Sequence, residues 1–136
     1  VSAVSTLYGL EELTDTITVK PDEDWYDAIG YTDPATGLPV ALDGIVISIT
    51  VRPRLGSPLV LFYTDTSLGG ILLLPTSNGG VNSAWSTAVP CRDGNSNTIW
   101  PPFLKPGSYV YGVQGSAGGA TKTLISGAFI VAQGVA

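Results

Sequence analysis

The chain has 136 residues, enough for one domain with a core of its own, and a formal net charge of −5. Only 12% of its residues are charged, against roughly 25% in an average soluble domain. The acidic balance excludes the basic footprint that nucleic acid or an anionic membrane requires. The lack of histidine excludes Ser-His-Asp and Cys-His catalysis and a histidine-supported metal site.

With 17 glycines, 10 prolines and 44% hydrophobic residues, the chain mixes punctuation with short apolar runs, as all-β domains do. So little charge leaves a surface suited to cover by partners or by copies of the chain. No apolar run nears the ~20 residues of a membrane span. No basic region followed by an apolar one opens the sequence, so no signal peptide is expected, and the lack of Met is read as removal of an initiator before Val1. Cys91 is the single cysteine; it can form no internal disulfide and reads as a free thiol.

In chain order, residues 1–13 show no clean period and read as an N-terminal arm ahead of one sandwich domain over 14–136. TDTITVK alternates, with Ile17 and Val19 on one face and Thr16 and Thr18 on the other. WYDAIGY follows as a second strand, placing Trp25, Asp27 and Ile29 together. TDPATGLPV is dense in turn residues. The clearest strand is IVISITVRP, where Ile45, Ile47, Ile49 and Val51 share a face opposite Ser48, Thr50 and Arg52. PLVLFYT and GILLLP read as the next two strands, with DTSLGG between them. Residues 76–105 form a long loop in this reading, with CRDGNSNTIWPP exposed and a turn at Asp93-Gly94. SYVYGVQG then alternates through Tyr109, Tyr111 and Val113, and SAGGA turns into the last strand, TKTLISGAFIVAQ. Gly127, isolated inside that strand, marks a bulge or a close approach by another group. Helical periodicity of useful length is absent. About seven to nine short strands predict an antiparallel, immunoglobulin-like β-sandwich.

PDEDWYD, Pro21 to Asp27, crowds four carboxylates around two aromatic rings. A glycosidase would need two carboxylates roughly 5–10 Å apart. Asp24 with Asp27, or Asp27 with Asp43, are the available pairs. The odd spacing of Asp24 and Asp27 sends them to opposite faces of a strand. The ligand order of a calcium loop is missing, so no metal and no cofactor are expected. The stretch reads as an acidic rim with Trp25 turned inward. Exposed aromatics could build a sugar platform from Trp25, Trp85, Trp100 and the six tyrosines, and Trp100 beside Pro101-Pro102 is the strongest of them. Core or subunit contact is the favoured role for these rings.

The order of elements resembles a small β-sandwich of tailed-phage structural proteins, among them the N-terminal domain of baseplate upper proteins and related fibre-attachment domains. The residues that carry it are an early strand with an acid and an aromatic, the turn DPATGLPVALDG (Asp33 to Gly44), IVISITVRPR ending in arginine, PGSYVY (Pro106 to Tyr111) and GGATKTLISGAFIVA. It spans roughly Thr14 to Ala132 and departs from that pattern between Leu74 and Leu104.

What the resemblance implies is a non-enzymatic structural component of a virion assembled in the host cytoplasm. It would dock on tail, baseplate or fibre-attachment region and contact other virion proteins and its own copies. A head-decoration protein is the alternative, and a host-surface carbohydrate-binding module is the alternative of another class. The expected partner contacts are Val4, Leu7, Tyr8 and Leu10 in the arm, with Trp100 and Phe103 in the long loop. The competing expectation for the arm is that it covers this domain's own sheet edge.

Overall fold

The computed structural model describes residues 3–20, 24–32, 35–75, 82–87 and 105–132. They form one short helix, α1 (Ala3–Gly9), and nine strands: β1 (Leu13–Thr14), β2 (Ile17–Val19), β3 (Ala28–Gly30), β4 (Val46–Arg52), β5 (Phe62–Asp65), β6 (Ile71–Pro75), β7 (Asn82–Thr87), β8 (Gly107–Ala117) and β9 (Ala120–Val131). One sheet runs β1-β9-β8-β4-β5, with β2 continuing β1 along the same side of β9; the other runs β3-β7-β6. The two pack as a sandwich. Lettered in chain order from β3 as B, they match the B-E-D and G-F-C-C′ strands of a variable-type immunoglobulin domain. A tyrosine corner belongs to the same pattern: the Tyr109 hydroxyl, near the start of β8, donates to the Lys105 carbonyl at 2.6 Å. The expected antiparallel pairing fails at one place, because β1 and β2 run parallel to β9.

The core follows from alternation. Ile47, Ile49 and Val51 on β4 and Tyr111 and Val113 on β8 turn inward, each 4% exposed or less. They meet Trp85 of β7 and Ile71 of β6 from the other sheet. An edge-to-face aromatic chain closes one end, with Trp25 5.5 Å from Phe129 and 6.3 Å from Phe62, and Tyr111 6.3 Å from Phe129.

The β8–β9 ladder slips once. Val113 pairs Ile125 while Gln114 pairs Thr123, so Leu124 is the extra residue of a bulge. Leu124 and Ile125 are therefore buried side by side. The slip also restores Lys122 to the inward face, opposite Gly115. There its ammonium donates to the carbonyls of Tyr8 and Leu10, the unpaired end of α1. A seven-residue helix is far below the ~12–15 residues at which isolated helices become marginal. Packing holds it. Leu7 is fully buried and Leu10 nearly so, each worth about 1.5–3 kcal/mol in area removed from water.

Residues 1–13 are thus no free arm where they are described. The lack of helical periodicity, as read from the sequence, also needs correcting. Val4, Leu7 and Leu10 recur every third residue, a stripe too short to stand out. A second correction concerns residues 82–87, assigned to the long loop: they form β7. Its inward positions are Ser83, Trp85 and Thr87, and two polar residues of three hide the strand signal.

Candidate functional site

Register places two segments at one end of the sandwich. The β4–β5 loop leaves β4 at Arg52, which pairs Val110 near the start of β8, and the acidic stretch packs there through Trp25 against Phe62. The helix α1 lies at the opposite end, against Gly115, Ile45 and Lys122.

The β4–β5 loop is ordered by its own hydrogen bonds. Ser57 N–H donates to the Arg54 carbonyl at 3.2 Å, and an Arg52 guanidinium N–H donates to the Ser57 carbonyl at 3.1 Å. Leu59 N–H donates to the Ser57 hydroxyl at 3.2 Å, and Leu61 N–H returns to the Val51 carbonyl at 2.8 Å. Ser57 is buried by this folding. Leu55, Leu59 and Val60 are left outside, 89%, 57% and 45% exposed. The loop thus presents three apolar side chains to solvent on a backbone fixed by its own hydrogen bonds. Sequence reading assigned Leu59 and Val60 to a strand and missed the loop. Pro58 and the Arg54-Leu55-Gly56 turn were the available signal.

The acidic stretch is built differently from the expected strand. Regular pairing begins only at Ala28, so the parity argument separating Asp24 from Asp27 does not apply. Both line one pocket of about 120 Å³ with Thr18, Val19, Lys20, Trp25 and Tyr26. Thr87 fixes the backbone. Its hydroxyl donates to the Trp25 carbonyl at 3.1 Å and accepts from Asp27 N–H at 2.7 Å, and its own N–H donates to the Asp27 carbonyl at 2.9 Å. Trp25 is buried as expected, and its indole N–H donates to the Asp27 carboxylate at 2.5 Å. Asp27 and Asp43 bond to Thr87 and Asn82, opposite ends of β7. Five residues at ~3.3 Å each put those ends about 17 Å apart, too far for a glycosidase pair. Among the described residues no group of three His, Cys, Asp or Glu side chains could hold a metal ion. Asp22 and Glu23 lie outside them.

The expected partner contacts separate. Leu7 and Leu10 are turned into this domain's own core, where they close α1 onto β8 and β9. Tyr8 points outward, 62% exposed. Val4 falls within α1, its side chain outside the described residues, as are Trp100, Phe103 and Cys91. Trp85, weighed for a sugar platform, is 2% exposed and donates its indole N–H to the Tyr31 hydroxyl at 3.2 Å.

No family model matches the chain, and no curated protein matches it by sequence.

Proposed function

We propose that this chain is a non-enzymatic structural component of a tailed-phage virion, docking on the tail, baseplate or fibre-attachment region through its β4–β5 loop. The observation that carries the reading is the preorganised trio Leu55, Leu59 and Val60 on a chain with only 12% charged residues. Such a loop meets a partner with little entropy left to lose, so its apolar area converts efficiently into contact energy. The sequence resemblance supplies the class of partner: other virion proteins and copies of the chain.

Four of the described carboxylates support the same reading. Asp27 is bonded by an indole, Asp43 by Asn82, and Asp15 by the Thr16 N–H. Asp65 caps the turn after β5. Each performs a local structural task. Incorporation of wild-type and Leu55→Asp/Leu59→Asp chains into particles tests the proposal, with folding monitored by the melting temperature.

A further inference from the structure

The outer face of the larger sheet carries a second surface, independent of the docking loop. Because Ile47, Ile49 and Val51 point inward, Ser48 and Thr50 point outward. Thr50 pairs Tyr63 on one side and Gly112 on the other; Ser48 pairs Asp65 and Gln114. Two adjacent rows across β5, β4 and β8 therefore read Tyr63–Thr50–Gly112 and Asp65–Ser48–Gln114. At the β8 end of the first row the face is open: a Cβ on Gly112 would meet nothing within 4 Å.

Tyr63 stands at the other end of that row, about 10 Å from Gly112 across Thr50, and is 47% exposed. Its hydroxyl donates to an Asp65 carboxylate oxygen at 2.7 Å, while the neighbouring Ser48 hydroxyl donates to the Gln114 carbonyl at 3.5 Å. The other Asp65 oxygen accepts from Ser67 N–H, Ser67 hydroxyl and Leu68 N–H at 2.9, 2.6 and 2.9 Å. Asp65 lies two residues along the same strand face, so the half-exposed ring is tied down along β5 by its hydroxyl. Asp65, with both oxygens engaged, positions that ring.

We propose that this face binds a neutral oligosaccharide, with the Tyr63 ring packing against one sugar ring, the next lying across Thr50 toward the open position at Gly112, and the Ser48, Thr50 and Gln114 side chains bonding their hydroxyls. Serine and threonine hydroxyls and the glutamine amide offer both donors and acceptors, which matches a ligand whose every hydroxyl does the same. The negative π-face attracts the C–H face of a sugar. A nucleic acid would need cations that these rows lack. A protein partner would select an apolar centre, whereas serine is depleted at protein interfaces. The surface is shallow, so binding is weak and reads out best by spectroscopy.

The test is titration of the ¹⁵N-labelled full chain with cellotetraose, maltotetraose and chitotetraose, followed by amide chemical shifts. At least one sugar should shift amides on β4, β5 and β8 around Gly112. Tyr63→Ala should weaken that binding about tenfold. Gly112→Val, which the open space accommodates without disturbing the fold, should abolish it. Neither substitution should alter particle incorporation. Shifts from none of the three sugars, or shifts that survive both substitutions, would overturn the proposal. So would concentration-dependent self-association through this face that Gly112→Val removes, which would assign the face to a second copy.

Discussion

The side chain of Leu7 occupies the space that a Cβ on Gly115 would need: its Cδ1 lies 2.6 Å from that position. Helix α1 is seated on a glycine of β8, with Ile45 and Leu124 completing the socket at 3.3 Å each. The N-terminal segment is therefore part of the domain's core.

Leu7→Ala should destabilise by about 2–5 kcal/mol, the range for a buried leucine. Deleting residues 1–12 should remove Leu7 and Leu10 together and lower the melting temperature sharply. An unchanged melting temperature would return the segment to the role of a free arm. Gly115→Val should reproduce the Leu7→Ala defect by unseating the helix.

Gly127 answers to a different neighbour. A Cβ there would run into the carbonyl of Asp15, the first of the two residues that link β1 to β2. Asp15 is held in place by its N–H bond to the Ser126 carbonyl at 3.0 Å and by the Tyr111 hydroxyl, which donates to its carbonyl at 3.0 Å. Backbone cannot yield as a side chain tip can. Gly127→Val should cost well over the roughly 1 kcal/mol of a typical substitution, measured by denaturant unfolding. A neutral result would mean that the β1–β2 link does not lie against β9 at this point.

Tyr111 makes the same junction sensitive to alkali. Burial, followed by the charges of Asp15 and Asp27, pushes its hydroxyl up from 10.0 to about 12. The folded chain thus holds this proton where the unfolded chain has released it. Its contribution is complete below pH 10 and is lost as pH rises through 12. Melting temperature should fall more steeply over that interval in wild type than in Tyr111→Phe. At neutral pH the same substitution should cost about 1 kcal/mol for the hydrogen bond. Parallel alkaline slopes for the two proteins would contradict this assignment.

Several of these relationships are legible in the sequence. The isoleucines of β4 alternate without interruption, the Tyr109–Tyr111–Val113 run fixes β8, and Gly127 announced a close approach. What was hidden has physical causes. Strand β7 buries Ser83 and Thr87, whose hydroxyls suppress the apolar pattern. The bulge at Leu124 leaves the sequence unmarked, yet it decides where Lys122 points and hence where α1 ends. Asp24 and Asp27 share a pocket because Thr87 pulls that backbone out of strand geometry, a contact sixty residues distant in sequence for Asp27. Leu55, Leu59 and Val60 read as ordinary apolar residues until the loop's hydrogen bonds fix them outward.

The most direct test of the docking proposal is immunogold electron microscopy of intact tailed particles assembled with either the wild-type chain or the Leu55→Asp/Leu59→Asp variant. Wild type should label at the tail, baseplate or fibre-attachment region, and the variant should be absent from particles while keeping its melting temperature. Label confined to the head, no label on any particle, or equal incorporation of a folded variant would contradict it.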